Sequence, residues 1–498
     1  MSERGKRLAA ACSVATVAFV ARVIEAAQDV SMMNDGPRFL AAADAWLRGD
    51  LATLIRDDFH PGMSAAIALV GGLAGIDLEV AARAISVVSG TLAAVVLFAL
   101  ARDTLSPRVA LASGLLFAVQ PASVLASSSV QSDALHQLLA LAGALAAWRA
   151  LERRSARAAA AAGLLCGLAY LVRPEGLVVA AVMGAWLFAE AALRRLEPRR
   201  AALLGAAFAL ALLATAAPYP LAIHAHSGEW RVSQKKSIAA MLSLESTAAS
   251  PAADAERAPR ILPALAEVAG EGMRAVHPLF FALCLIGLPR RRPTRAELYL
   301  LSYPAAIFLV LLLLRLSYLY VSHRHWLVGA ALLLPFAARG LLELVEAASR
   351  RAPRLAPRSR AVAATLFVTV ACGLTYIALD QDDPVKPARV EAARWLASHT
   401  RVTALAASRS RIAWYAGAGR FVELSHDPDG QRVVEAARAA DADYLIAEES
   451  RLAMAPGTAL VGVEQLHEVR YPGGRVLVLR LVVPDLAAAK PTSETHPP

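Results

Sequence analysis

Charge is scarce in this chain. Of 498 residues only 18% are Asp, Glu, Lys or Arg, against 57% hydrophobic, and the mean hydropathy is +0.48. A soluble protein of this length would divide into several domains of ordinary charge content, so that class is excluded. Cysteine is scarce too. Cys12, Cys166, Cys284 and Cys372 each lie inside an apolar run, and none has metal-ligand spacing. A disulfide framework is therefore not implied, and small buried side chains are. There is no GxxxxGK[ST] loop and no other nucleotide-binding glycine pattern, so nothing points to ATP as a driver. No internal repeat is present.

What the chain has instead is apolar runs of roughly 17–22 residues, the length that crosses ~30 Å of hydrocarbon. The formal net charge of +10 does not indicate nucleic acid. Its arginines sit in short clusters between apolar runs: Arg149, Arg153, Arg154 and Arg157; Arg194, Arg195, Arg199 and Arg200; Arg290, Arg291, Arg292 and Arg295; and Arg350, Arg351, Arg354, Arg358 and Arg360. That is the signature of cytoplasmic connections. Arg4, Lys6 and Arg7 precede the first apolar run, which reads as an uncleaved helix with its start on the same side.

Spans are expected at Leu8–Val30, Ala82–Ala101, Val109–Ala126, Ala134–Leu151, Ala158–Val172, Leu177–Leu193, Ala201–Ile223, Val276–Leu288, Leu298–Leu314, Trp326–Val345 and Ala361–Leu379. The total is about 11. Arg22 and Glu25 interrupt the first, one turn apart, as a buried pair or the floor of a polar cavity. Residues 31–62 form an outer loop with an amphipathic helix built on Phe39, Leu40, Ala43, Trp46 and Leu47. Met63–Ile76 is too short for a span and reads as re-entrant. His224–Ala275 reads as a polar outer loop. From Pro384 the pattern changes: a helix at Glu391–His399, strands at Thr403–Ala407, Tyr444–Ala447 and Val476–Val483, and a helix at Gln431–Ala440. The chain thus divides into an all-α polytopic membrane domain (1–383), a small C-terminal extracytoplasmic α/β domain (384–486) and a disordered tail (487–498).

Polar residues beside spans are costly, and here four groups fall on one face of the membrane. They are Asp35, Arg38, Asp57, Asp58 and His60; Gln131, Ser132, Asp133 and His136; Arg173 and Glu175; and Arg315, Tyr318, Tyr320, His323, Arg324 and His325. Lys235 and Lys236 add cations to the same side. Acids serve as general bases or ion ligands, and arginines grip phosphate in bidentate fashion. Bland readings stand beside these: Asp133 as a helix cap, Arg173-Pro174-Glu175 as a helix terminator, and His323-Arg324-His325 as an interfacial cluster.

In chain order the motifs resemble the GT-C glycosyltransferases, closest to the protein O-mannosyltransferase and aminoarabinose-transferase-like group. The resemblance rests on Asp35 after the first span, Trp46-Leu47-Arg48-Gly49-Asp50, and His60-Pro61 with Gly62 where the family has a second proline. It continues through Ser132-Asp133, Gly167-Leu168-Ala169-Tyr170-Leu171-Val172-Arg173-Pro174-Glu175-Gly176, His323-Arg324-His325-Trp326 and Glu391–Leu396. It implies transfer of a sugar from a polyprenyl-phosphate donor to a lipid, glycan or protein acceptor at the outer face of the bacterial inner membrane. The chain would be multi-pass, with its N-terminus cytoplasmic. Asp35 would be the base and Asp133 a second acid near the acceptor or an ion. Arg173, Arg324 and Lys235 would neutralise the phosphate, and His60, Glu175 and His325 would lie around it. No carboxylate adjoins Asp35, so no cofactor is expected and a divalent metal is not supported. The rival readings are a transporter or flippase of lipid-linked or anionic substrates, which calls for polar residues on both faces, and a scaffold whose α/β domain binds a partner.

Overall fold

The computed structural model describes residues 2–56, 58–234, 261–317, 320–351, 373, 384–424, 427, 429–452 and 460–482. The chain forms two compact units. One comprises Met1–Asp29 and Arg38–Asp380, the other Val30–Pro37 and Gln381–Pro498.

The first unit is helical. Its described helices are α1 (Glu3–Gln28), α2 (Gly36–Arg48, which begins in the other unit), α3 (Leu51–Arg56), α4 (Gly62–Ala74), α5 (Leu78–Thr104), α6 (Pro107–Ala118), α7 (Pro121–Ala126), α8 (Asp133–Arg153), α9 (Ala156–Val172), α10 (Gly176–Ala192), α11 (Pro198–Ala216), α12 (Pro218–Ser227), α13 (Ile261–Val276), α14 (Pro278–Gly287), α15 (Arg295–Ser317) and α16 (Leu327–Arg351), with a 3-10 turn at His323–Trp326 before the last. Six segments are long and apolar enough to cross a membrane: α1, α5, α8, α11, most of α15, and His323–Arg351. A seventh arises if α13 and α14, bent by 96°, count as one. Helices α4, α6, α9 and α10 are apolar but shorter. The multi-pass membrane architecture stands. The count of about 11 spans is not confirmed, and Ala361–Leu379 lies outside the described residues apart from Gly373.

Proline accounts for three departures from the expected spans. Val109–Ala126 is two helices, because Pro121 cannot continue α6 and instead starts α7; the Gln120 side chain caps that start by accepting from Ser123 N at 2.7 Å. Ala201–Ile223 breaks in the same way before Pro218. Val276–Leu288 starts only at Pro278, after His277 turns the chain with φ of +79° and caps α14 through its ring. The second half of the expected polar loop is the amphipathic helix α13. Its Ile261 and Leu262 are exposed, while Ala264 and Val268 are buried.

Buried Arg22 does not stay on its own helix. Its Nη1 donates to Ala18 O and to Ala118 O, at 3.0 and 3.1 Å, and the guanidinium lies over the Phe117 ring. Ala118 ends α6, so at that oxygen the cation meets a carbonyl that lacks a helical partner, whereas Ala18 lies within α1.

In the second unit, α17 (Val385–His399), α18 (Ser410–Tyr415) and α19 (Gly430–Ala439) accompany a five-stranded sheet. Its strands are β1 (Ala404–Ala407), β2 (Arg420–Glu423), β3 (Tyr444–Glu448), β4 (Val463–Tyr471) and β5 (Gly474–Leu481), in the order β2-β1-β3-β5-β4. The first three are parallel and the last two pair antiparallel. Strands β2 and β4 lie at the sheet edges and mix polar with apolar residues, which is why the apolar pattern did not reveal them. The expected tail at 487–498 lies outside the described residues.

Helices α14 and α16 pack at backbone distance. A Cβ on Gly287 would strike the Phe336 carbonyl, and one on Gly340 the Leu283 carbonyl. Small residues let membrane helices approach this closely. Gly340→Val is expected to destabilise the protein by about 1–3 kcal/mol through overpacking. Gly205→Val, where a Cβ meets nothing within 4 Å, should leave it unchanged. Melting curves of the two variants in detergent test this.

Candidate functional site

Asp133 opens α8, where a carboxylate is favoured by the helix N-terminus. It is 2% exposed. Burial at that depth demands cations, and two arrive from elsewhere in the chain. Arg173 Nη1 lies 2.5 Å from Asp133 Oδ1, and Arg324 gives Nη2 at 2.6 Å and Nε at 3.2 Å to Oδ2.

Local sequence explains how each arginine gets there. Arg173 precedes Pro174, which disfavours helical backbone at the residue before it. Helix α9 therefore ends, Arg173 is extended at φ −154° and ψ 141°, and its side chain turns to Asp133. Glu175 follows on the same turn and accepts from Arg173 Nη2 at 3.1 Å. Gly176 completes the turn, since a Cβ there would clash with the Tyr170 backbone. Arg324 sits in the His323–Trp326 turn. Ser322 Oγ accepts from Arg324 N, and His325 Nδ1 accepts from Ser322 N at 3.2 Å, a reciprocal cap. Helix α13 braces that turn: His323 N donates to Glu271 Oε2 at 2.7 Å, and Arg315 pairs with Glu267 at 2.7 Å. Glu267 and Glu271 were missed in the sequence. Their spacing of four residues on an amphipathic stretch was the available signal.

His325 Nε2 comes within 3.8 Å of Glu175 Oε1. Burial by itself would raise the Glu175 carboxyl. Arg173 first, and then the neighbouring His325 and His136, outweigh it and hold the group well below the usual carboxylate range. Five of the expected residues, Asp133, Arg173, Glu175, Arg324 and His325, thus form one cluster. Asp133 spends both oxygens on guanidinium and so fixes two arginines. His60 is buried near the end of α9. Its Nδ1 is 2.7 Å from Tyr170 O, and its ring packs against Tyr170 and Tyr219.

Asp35 belongs to the second unit and is half-buried. Its neighbours are held by α18: Met32 N donates to Tyr415 Oη at 3.0 Å, Arg411 Nη1 to Met32 O at 3.1 Å, and Ser410 Oγ to Asn34 O at 3.1 Å. Lys235 and Lys236 lie outside the described residues. Among the described residues no three of His, Cys, Asp and Glu group so as to hold a metal ion.

The arginine cluster and the arginine-rich connections occupy opposite ends of the same helices. Helix α8 runs from Asp133 to Arg149 and Arg153, and α16 runs from the Arg324 turn to Arg350 and Arg351.

Residues 59–219 match the family model described as dolichyl-phosphate-mannose-protein mannosyltransferase. No curated protein matches the chain. Among solved structures, ArnT from Cupriavidus metallidurans bound to undecaprenyl phosphate aligns with a TM-score of 0.61 at 16% identity, over 96% of this chain and 98% of that one. The oligosaccharyltransferase AglB from Archaeoglobus fulgidus, in complex with an inhibitory peptide and a dolichol-phosphate, aligns with a TM-score of 0.59 at 12% identity, over 90% of this chain and 70% of that one. The chain has the GT-C glycosyltransferase fold, and the resemblance read from its motifs stands.

Asp133→Asn strands two partly buried guanidiniums and is expected to cost about 3–5 kcal/mol. Glu175→Gln should cost less and carry a pH signature. The depressed carboxyl stabilises the fold at pH values above its unfolded value of about 4.3, and that contribution fades as pH falls toward the folded value. The melting-temperature gap between wild type and Glu175→Gln should therefore be constant above about pH 5 and narrow below about pH 4. A gap that widens on acidification would contradict the ion pairing.

Proposed function

We propose that the chain is an integral-membrane glycosyltransferase of the bacterial inner membrane. It moves a sugar from a polyprenyl-phosphate donor to a lipid, glycan or protein acceptor at the outer face. The observation that carries this reading is the pair Arg173 and Arg324, both fixed by buried Asp133 at the end of the bundle away from the arginine-rich connections. Planar guanidinium groups held in place suit the oxygens of a phosphate, and an ordered donor set costs no reorganisation when charge develops on the leaving group. The fold supports the reading, since two solved relatives in fold hold a polyprenyl phosphate. The positive-inside bias supports the outer placement and a cytoplasmic N-terminus.

Asp35 takes the proton from the acceptor hydroxyl. Arg173 and Arg324 receive the phosphate, with Lys235 a further cation for it. Asp133 orients the arginines, Glu175 and His325 back Arg173, and His60 shapes the corner beside α9. No step is assigned to a divalent ion, because both oxygens of Asp133 are engaged by arginine. Residues 384–486 are the extracytoplasmic domain.

Transfer of labelled sugar from a polyprenyl-phosphate donor, measured in membranes containing the full chain, tests the assignment. Asp35→Asn should lower the rate by about 10²–10⁴-fold. Arg324→Gln should lower it by about 10²-fold or more, through loss of charge stabilisation. Full activity of Asp35→Asn would remove Asp35 as the base. Movement of lipid-linked substrate across proteoliposomes with no bond made would favour a flippase instead.

A further inference from the structure

The charges of the arginine cluster cancel. Arg173 and Arg324 carry two positive charges, and Asp133 and Glu175 carry two negative ones. Sugar transfer upsets that balance. The donor is a phosphodiester with a single negative charge. The acceptor oxygen forms a bond to the anomeric carbon while the bond from that carbon to the phosphate oxygen breaks. The electron pair leaves with the phosphate, which becomes a phosphomonoester with a second negative charge, and the acceptor hydroxyl gives up its proton. A charge is added beside a cluster that has no net charge of its own, and a proton must be accepted.

Two histidines stand behind the cluster. His136 lies on α8, three residues after Asp133, and is buried. His325 is engaged at Nδ1 by the Ser322 backbone and directs Nε2 toward Glu175. His136, Glu175 and His325 line one small cavity of about 20 Å³. That is room for a single water molecule. The rest of its lining, including Val178, Ile307, Leu311 and Val328, is apolar. His136 Nε2 and Glu175 Oε2 are buried and have no hydrogen-bond partner among the described residues. Buried polar atoms are rarely left so, and each orphan costs about 1–3 kcal/mol. A carboxylate oxygen and an imidazole nitrogen, both buried on residues that line one cavity, would be satisfied by a proton shared between them. The charged and titratable groups facing the two histidines are Asp133 on α8, Arg173 and Glu175 on the turn after α9, His60 before α4, Tyr303 on α15, and Tyr320.

We propose that His136 and His325, with Glu175, form a buried proton-accepting group that takes up one proton from solvent, separate from the acceptor proton that goes to Asp35, as the phosphomonoester forms in the arginine clamp and so offsets its second charge. This rests on the reading of the chain as a polyprenyl-phosphate-dependent transferase. The two histidines act through Glu175 and Arg173 and do not themselves touch the phosphate.

Undecaprenyl phosphate binding to the full chain in nanodiscs, measured by titration calorimetry in two buffers of different ionisation enthalpy, reads the proton directly. At about pH 8 a phosphomonoester, with its second pKa near 6, is already doubly charged. The wild type should take up about one proton per lipid bound. Uptake should fall in His136→Gln and in His325→Gln, and approach zero in the double variant, with melting curves confirming that each variant is folded. A methyl diester of the same lipid phosphate should bind without uptake. No uptake by the wild type, unchanged uptake in the folded variants, or equal uptake with the diester would each overturn the proposal. The two layers separate cleanly. If undecaprenyl phosphate binds no better than undecaprenol, the transferase reading falls and this inference with it. If binding is tight and is weakened by Arg324→Gln but moves no proton, the histidine inference alone falls.

Discussion

The structure of the helical unit turns on one shared carboxylate. Asp133 draws together the start of α8, the turn after α9 and the turn before α16, segments 40 and 191 residues away along the chain. Closing loops of that length costs chain entropy, and apolar helices supply no directional contact to offset it. A carboxylate shared by two guanidiniums supplies direction, because their planar forks fix both distance and angle. It also fixes the ends of four helices, α8, α9, α10 and α16, at a common point. Charges buried this deeply are worth their desolvation only when every partner is present. Removing any one of the three leaves charge unbalanced, so the cluster forms as a whole or not at all.

A second set of buried acids organises the opposite end of the bundle. Glu297 is 1% exposed, accepts from Thr294 N and Oγ1, and pairs with Arg339 at 2.7 Å. Glu190 pairs with Arg295 at 2.9 Å. Arg295 belongs to one of the arginine-rich connections, and Arg339 lies within α16. They pin α15 and α16 to α10 and to each other. The close helix packing at Gly287 and Gly340 belongs to this end too, since Arg339 adjoins Gly340 and its Nη1 reaches Gly287 O at 3.4 Å.

Much of this was legible in residue order. The Arg-Pro-Glu-Gly turn announces itself, because Pro174 forces Arg173 out of helix and Gly176 fits only where a side chain cannot. Asp133 ahead of an apolar run marked a helix start, and His323-Arg324-His325 before Trp326 marked an entry to the membrane. What composition could not show was partnership. Nothing in the sequence says that Asp133 takes both arginines, which changes it from a candidate acid to an anchor. Nor could hydropathy separate a span from a broken one. Val109–Ala126 reads as continuous until Pro121 is weighed as a helix start. The segment at 261–276 read as loop because its polar residues dilute an apolar face that only helical geometry reveals. Edge strands β2 and β4 were hidden for a related reason, since their stability comes from backbone pairing to apolar neighbours. Asp35 was placed by its motif alone, and its assignment to the unit that contains residues 381–498 had no sequence signature.

The neutrality of the arginine cluster explains how two arginines can stand beside a membrane-spanning bundle without a ligand. Two unpaired arginines facing hydrocarbon would pull in water or a stray anion. Pairing them with Asp133 and Glu175 removes the net charge while keeping the guanidinium planes fixed. An arginine has five N–H donors, and Arg324 commits Nε and Nη2 to Asp133. Carboxylate pairing on that edge orients the group. A lysine would serve poorly here, because a point charge bound to Asp133 has no second planar edge to present. The same neutrality sets the limit of the device. In the proposed transfer a phosphodiester adds little electrostatic cost, but the second charge created at bond cleavage has no counterpart among Asp133, Glu175, Arg173 and Arg324, and that is the charge which protonation of the cavity lined by His136, Glu175 and His325 is proposed to offset.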